Sequence, residues 1–297
     1  MSLKDSDPLA EVMQSSEPFL NYCHWNYDSP LPDTSLHAPN RLRPSSLLVF
    51  ALRAMDDSQR TLKTIRNIQE GVGLHRCVYG IKWFENHWES EVYVYDYQRC
   101  NRILSVDRFL RATCGELKSR VTVDDNIPYF MFSFDLGPNS ITPEGEIGGL
   151  NIYVGNPGST VSSGISYYFE KDVRLLKNFY FFFDAQRQQD EIKEKILCSI
   201  FGPRSVEQLG EILCPILSDC TTICLSNKPE CNTIYFSGVD CQQLIHFLEW
   251  QNYPDDFKGF VAQHRNRLNH LRYDVGIDYR YEGNQVVFLK TGIYGVF

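Results

Sequence analysis

The residues that could do chemistry in this sequence are tyrosines that lie on the same face of a predicted strand as charged side chains. In the closing segment, Lys290 and Tyr294 have the parity opposite to Leu289 and Ile293. Alternate residues of a strand point to opposite faces of a sheet. One face of this strand therefore carries a cation and an aromatic ring, while the other face is aliphatic.

The same division recurs in an earlier segment, "WESEVYVYDY", where Glu91, Tyr93 and Tyr95 alternate with Val92 and Val94. An aliphatic face is fit to pack under helices. A face of tyrosines and charges either meets solvent on an open sheet or surrounds a polar, aromatic cavity in a closed barrel. Both arrangements are compatible with this pattern. On an open sheet, however, the rows of tyrosines would expose a large apolar patch, so the barrel is favoured.

Five consecutive aromatics in "KNFYFFFDAQ" extend the pattern to both faces of one strand. A strand with one face in water would not need them. In a barrel, Phe179, Phe181 and Phe183 would lie under helices, while Tyr180 and Phe182 would line the cavity.

No common catalytic motif is present. The sequence lacks GxSxG, GxxxxGK[ST], HExxH and a strand-linked GxGxxG. Three Asp-Asp pairs occur, but none continues into DDxxD. Cys100 lies between Arg99 and Arg102, yet no histidine is placed as its base, which disfavours a catalytic thiol.

The composition excludes several classes of protein. A net charge of -8 argues against a nucleic-acid surface, which needs clustered cations. No segment has the 18 consecutive apolar residues of a membrane span. The ten cysteines include no CxxC pair, so reduced thiols in a cytoplasmic protein are a better interpretation than a zinc site or a disulfide framework.

Helices and antiparallel hairpins are predicted to alternate along the chain. About eleven strands and six helices are expected, with "SSLLVFALRA" among the strands and "SVEQLGEILCPIL" among the helices. Residues 1–43, rich in Pro, Ser and Asp, are predicted to be an irregular lead-in. Residues 44–297 contain no linker, so one domain is expected. The predicted fold is α+β: an antiparallel β-barrel of about ten strands jacketed by helices, with an open sheet as the alternative.

This organisation resembles the ABBA-type prenyltransferases, the αββα barrels that attach isoprenoid chains to aromatic rings or to Tyr and Trp side chains. The closing "DYRYEGNQVVFLKTGIYG" looks like their last hairpin, and the missing DDxxD agrees with them. The resemblance covers residues 45–297 and is one of layout. It implies transfer of an isoprenoid group from an allylic diphosphate to an aromatic acceptor. No cofactor is required in this reaction, and magnesium is an optional one.

The resemblance also implies roles for the polar, aromatic face. Cations would hold the departing diphosphate, tyrosines would shield the carbocation, and a carboxylate would accept the acceptor's proton. The candidate diphosphate contacts are Lys82, Arg280 and Lys290. The candidate shield is Tyr93, Tyr95, Tyr180, Tyr235 and Tyr294, and the candidate base is Glu91. The competing hypothesis is a non-enzymatic protein whose aromatic cavity binds a small ligand or a partner chain.

Overall fold

The computed structural model describes residues 41–55, 58–74, 76–96, 101–137, 140–155 and 162–297. Its strands are β1 (Cys77–Phe84), β2 (His87–Tyr95), β3 (Lys118–Ser119), β4 (Tyr129–Leu136), β5 (Glu146–Ile147), β6 (Leu150–Gly155), β7 (Ser162–Glu170), β8 (Val173–Asp184), β9 (Thr222–Asn227), β10 (Asn232–Val239), β11 (Tyr273–Glu282) and β12 (Gln285–Val296). Its α-helices are α1 (Ser45–Arg53), α2 (Ser58–Val72), α3 (Val106–Ala112), α4 (Gln189–Leu197), α5 (Pro215–Ser218), α6 (Cys241–Trp250), α7 (Asp255–Gln263) and α8 (Arg265–Leu268). Of the predicted lead-in, residues 1–40 lie outside the described residues.

Ten of the strands form one closed antiparallel barrel, in the order β1-β12-β11-β10-β9-β8-β7-β6-β4-β2. The barrel strands follow one another in chain order, and β1 closes the ring by pairing with β12, with Val78 opposite Val296. The prediction of a helix-jacketed antiparallel barrel is therefore confirmed, and the open sheet is excluded. The short strands β3 and β5 form a separate parallel pair.

The outer face of the barrel is apolar and packs against the helices. Phe134, Phe236, Val275 and Ile293 are all fully buried on this face. On β8, Phe183 is buried as expected, but Phe179 is 43% exposed. The expectation that helices cover Phe179 was wrong.

The segment "SSLLVFALRA" forms helix α1 and not the strand that its apolar run suggested. A short apolar run fits a buried helix as well as a buried strand. Here Leu47, Leu48, Ala51 and Leu52 are buried together, which is the i, i+1, i+4, i+5 spacing of one helix face.

The single helix expected in "SVEQLGEILCPIL" is divided in two. Residues Val206–Glu211 form a 3-10 turn, and α5 begins anew at Pro215. Glycine weakens a helix interior, and proline is best tolerated in a first helical turn. Gly210 and Pro215 therefore account for the interruption.

Five tyrosines form a belt around the barrel interior, here called the tyrosine belt: Tyr93, Tyr153, Tyr180, Tyr235 and Tyr294. They lie on alternate strands of the ring, and each is in register with a small residue on a neighbouring strand. The pairs are Tyr93 with Ser133, Tyr153 with Ser166, Tyr180 with Gly164, Tyr235 with Gly276, and Tyr294 with Gly80. Alternating large and small side chains is a common way to fill a small barrel.

Two glycines make room for the belt. A Cβ atom added at Gly276 would lie 2.5 Å from the ring of Tyr235, and one at Gly80 would lie 2.8 Å from the ring of Tyr294. Real Cβ atoms do not approach ring carbons so closely. The belt therefore depends on the absence of side chains at these positions.

We expect Gly276→Ala to lower the free energy of unfolding by about 1–3 kcal/mol, the usual cost of overpacking a filled interior. The matched control is Gly164→Ala, at another strand glycine of the barrel, because the nearest atom to a Cβ added there lies 3.4 Å away, an ordinary contact distance. Denaturant unfolding of both variants checks this. Equal stability of the two variants would contradict the steric account of the belt.

Candidate functional site

A cavity of about 250 Å³ lies inside the barrel, above the tyrosine belt. At the opposite end the interior is filled by apolar side chains that include Val78, Met131 and Val296. The cavity lining is Lys82, Glu91, Tyr93, Asn151, Tyr153, Lys177, Asn178, Tyr180, Lys228, Thr233, Tyr235, Gly276, Asp278, Lys290, Thr291, Gly292 and Tyr294. The cavity thus combines an aromatic floor with a charged wall at its mouth.

A buried ion pair between Lys82 and Glu91 stands on one side of the cavity. The Nζ atom of Lys82 lies 2.6 Å from Oε2 of Glu91 and 3.1 Å from Oδ1 of Asp135. The side chains of Lys82 and Glu91 are 14% and 5% exposed. Strands β1 and β2 bring the pair together, with Gly80 of β1 in register with Glu91 of β2.

Both oxygens of Glu91 accept further hydrogen bonds. Tyr93 donates to Oε2 at 2.6 Å. Ser133 donates a short hydrogen bond to Oε1, and the amide of Asn151 donates to the same oxygen at 3.3 Å. The carboxylate is therefore held by groups from four strands, which fixes its position on the cavity wall.

These contacts favour the ionised form of Glu91. Burial alone would raise the pKa of Glu91, but the charge of Lys82 and the hydrogen bonds from Lys82, Ser133 and Tyr93 lower it to about 2. Burial would likewise lower the pKa of Lys82, but the charges of Asp135 and Glu91 raise it well above its ordinary value. Both groups are charged at neutral pH.

A second charged cluster lies across the cavity, around Asp278. The Nζ atom of Lys228 lies 2.7 Å from each oxygen of Asp278, and Thr233 donates to Oδ1 at 2.7 Å. Although burial opposes it, the charge of Lys228 lowers the pKa of Asp278. Asp278 is in register with Lys290 on the next strand.

Lys290 and Lys177 are the less constrained cations of the mouth. The Nζ atom of Lys290 lies 3.6 Å from Oε2 of Glu89 and 5.0 Å from the ring centroid of Phe84. The Nζ atom of Lys177 lies 5.3 Å from the ring centroid of Tyr168, and no carboxylate of the described residues pairs with it. Four lysines and two carboxylates line the cavity, and two further carboxylates, Asp135 and Glu89, pair with Lys82 and Lys290 from outside the lining.

The tyrosine belt presents neutral aromatic rings to this charge. Burial raises the pKa of all five belt tyrosines, so their hydroxyls stay protonated. Neighbouring rings touch at centroid distances of 5.8 Å for Tyr93 with Tyr294 and 5.9 Å for Tyr235 with Tyr294. The rings of Tyr153 and Tyr180 form a further contact at 6.0 Å.

Most of the candidate residues meet in this cavity. Those that line it are Lys82, Glu91, Tyr93, Tyr180, Tyr235, Lys290 and Tyr294. Tyr95 is also on the inner face but lies among the apolar residues of the filled end. Arg280 lies outside the lining, where its guanidinium pairs with Glu282 at 2.6 Å.

Several lining residues were missed from the sequence. Tyr153 and Asp278 have the parity of the polar face on their strands, so their parity could have identified them. Lys228 follows the last residue of β9 in a turn, where no parity rule applies. Lys177 lies at a β-bulge, because Ser166 faces Asn178 while Tyr167 faces Leu176.

The cavity carboxylates fit magnesium poorly. Mg²⁺ is usually held by one or two carboxylates together with water and phosphate oxygens. Glu91 and Asp278 each already pair with a lysine at 2.7 Å or less. In the described ranges no group of three or more His, Cys, Asp or Glu side chains is placed to bind a metal ion.

Among the described residues, eight cysteines are free thiols, and six of these are buried. The helices in these ranges fall short of the combined length and apolar character needed to span a bilayer. No protein-family model matches the chain, and no curated protein has a significantly similar sequence.

Proposed function

We propose that this protein transfers an isoprenoid group from an allylic diphosphate to an aromatic acceptor inside the barrel. The observation that carries the proposal is the stacking of two layers in one cavity. A wall with four lysines lies at the mouth, directly above a belt of five neutral tyrosines. An allylic diphosphate has two parts that complement these layers. Its anionic head suits the lysines, and its apolar chain, which becomes a cation, suits the tyrosines.

The lysines suit the anionic head. Ammonium groups make charge-assisted hydrogen bonds to phosphate oxygens, and they stabilise the charge that gathers on a departing diphosphate. Lys290 and Lys177 have the weakest protein partners, so they are the cations most available to a ligand. Lys82 and Lys228 are held by carboxylates and would contribute from fixed positions.

The tyrosine belt suits the developing carbocation. When the allylic C–O bond breaks, its electron pair leaves with pyrophosphate and the positive charge remains on carbon. The faces of aromatic rings attract such a cation by cation–π interaction, and a buried floor keeps water from capturing it. The acceptor then forms a bond to the allylic carbon and loses one proton.

Glu91, the predicted base, is suited to a different part of the reaction. A carboxylate with a pKa of about 2 is a weak proton acceptor at neutral pH. Its contacts suit a positioning role, in which it orients Lys82 and Tyr93. In this proposal the acceptor's proton passes to the released pyrophosphate or to water at the mouth.

The size of the cavity favours a small donor. At about 250 Å³ it lies below the range of pockets that enclose drug-sized ligands. We propose a short isoprenoid chain on the tyrosine belt, with the aromatic acceptor approaching through the mouth. A cytoplasmic location, suggested by the free thiols, belongs to the same proposal.

The alternative is a non-enzymatic protein that binds an aromatic or anionic ligand in the same cavity. The lowered pKa of Glu91 and of Asp278 favours it, because each carboxylate is a weaker base than usual. Such a protein would bind diphosphates without consuming them. Binding and turnover must therefore be measured separately.

We expect the purified protein to bind dimethylallyl diphosphate, and Lys290→Ala to weaken the binding by about 1–3 kcal/mol, because a charge-assisted hydrogen bond is lost. Calorimetry measures this, and added salt should weaken the binding of the unmodified protein. Lys193→Ala is the control, since Lys193 pairs with Asp190 on an exposed helix. No binding at millimolar donor, or equal effects of the two variants, would contradict the proposal.

A further inference from the structure

Strand β8 projects beyond its neighbour β9. Strand β8 runs over Val173–Asp184, but only Phe179–Asp184 pair with β9. The first half of β8 pairs with β7 alone, from Val173 opposite Glu170 to Asn178 opposite Ser166. On the side away from β7, the backbone of residues 173–178, here called the β8 edge, has no strand partner in the described part of the chain.

Three of the six residues of the β8 edge are exposed apolar side chains. Val173, Leu175 and Leu176 are 47%, 49% and 44% exposed, and Phe179, at the start of the β9 pairing, is 43% exposed. Proteins usually protect a free strand edge with charge, proline or a covering element, because its unpaired N–H and C=O groups recruit other chains. The β8 edge carries two cations, Arg174 and Lys177, beside its exposed apolar side chains, and an apolar patch with a polar rim is typical of a binding surface.

The β8 edge is continuous with the cavity. Lys177 and Asn178 belong to the edge and also line the cavity. A chain that paired with the edge would run past the mouth. Since its side chains would alternate between the two faces of the sheet, every second one would lie on the side of the barrel interior.

We propose that the β8 edge binds an extended peptide as an added strand, and that an aromatic side chain of this peptide enters the mouth as the acceptor. The inference rests on the proposed function for the acceptor role. Main-chain hydrogen bonds to β8 would supply affinity for any extended sequence, and alternate side-chain contacts would select among sequences. Apolar residues of the peptide would cover Leu175 and Leu176.

The charges of the edge argue against a second copy of this chain as the occupant. Two copies that paired the whole segment 173–178 antiparallel would place Arg174 of each opposite Lys177 of the other. Like charges directly opposite on paired strands are destabilising. A peptide with an acidic side chain near these two cations would instead be favoured.

The test uses a fluorescein-labelled hexapeptide, Thr-Val-Tyr-Val-Glu-Thr, whose binding to the full-length protein is followed by anisotropy. Two further peptides carry N-methyl groups on alternate amides, one on the odd and one on the even positions. Only one alternate set of amides can face β8, so one methylated peptide should bind at least roughly tenfold more weakly and the other should be unaffected. Leu175→Asp is expected to weaken binding of the unmethylated peptide to a similar degree, whereas Ile103→Asp, at another exposed apolar residue, should not.

Equal binding of the two methylated peptides, equal behaviour of the two variants, or no binding to the unmodified protein would overturn the inference. So would a concentration-dependent dimer in sedimentation that Leu175→Asp abolishes, because the edge would then join two copies. Binding of dimethylallyl diphosphate is measured without peptide. Its failure would overturn the proposed function and remove the acceptor role, while the peptide experiments would still decide whether the β8 edge binds a strand.

Discussion

Replacing Lys82 with methionine is expected to lower the free energy of unfolding by about 3–5 kcal/mol, the cost of removing one partner of a buried ion pair. The variant leaves the carboxylate of Glu91, which is 5% exposed, without its nearest cation. The hydrogen bonds from Tyr93 and Ser133 remain but supply no opposite charge. Equilibrium denaturation in urea measures the loss.

Two controls separate this effect from the loss of a lysine side chain. Lys193→Met removes an exposed partner of Asp190 and should change stability by less than about 1 kcal/mol. The double variant Lys82→Met, Glu91→Gln removes both charges and should recover most of the lost stability. A double variant no more stable than Lys82→Met alone would contradict the view that the unpaired carboxylate is the cause.

Acid is expected to remove on the order of 3 kcal/mol of stability through Glu91 alone, since its pKa falls from an ordinary 4.5 to about 2 on folding. A group whose pKa is lower in the folded state than in the unfolded state contributes its full stability at pH values above its unfolded-state pKa. The contribution is therefore complete above pH 4.5 and is lost as the pH falls from 4.5 towards 2. Denaturation midpoints across this range measure it.

The matched variant for the acid effect is Glu91→Gln, which keeps the shape of the side chain but cannot ionise. It should be less stable than the unmodified protein at pH 7, and its stability should fall less steeply below pH 4.5. Parallel pH profiles for the two proteins would show that Glu91 is not held ionised by Lys82 in the folded chain.

The alternation of residues along the strands allowed the barrel to be predicted. Tyr294 and Lys290 share the inner face because side chains alternate with a period of two, and that rule needs no knowledge of neighbouring strands. The same rule placed Tyr180 inside. It could not show that β1 pairs with β12, because this closure joins Val78 to Val296 across almost the whole described chain.

The site was less predictable where local rules do not apply. Lys228 reaches Asp278 from a turn, and Lys177 faces the cavity from a bulge. Arg280 follows a register shift between Asp278 and Tyr279, beyond which its side chain pairs with Glu282 at the rim. Helix α1 was predicted to be a strand because a continuous apolar run shows neither the helical nor the strand period of hydrophobic residues.

The most direct test of the proposed function is turnover of an allylic diphosphate in the presence of aromatic acceptors. The protein is incubated with dimethylallyl diphosphate and a panel of peptides that contain tyrosine or tryptophan. Pyrophosphate release and acceptor mass are then followed.

Isopentenyl diphosphate is the control, because it has the same charge but cannot form an allylic cation. We predict that the allylic donor is consumed and that an acceptor gains one isoprenyl group, while isopentenyl diphosphate binds without reacting. Binding of both diphosphates with consumption of neither would contradict the enzymatic account and favour the ligand-binding alternative.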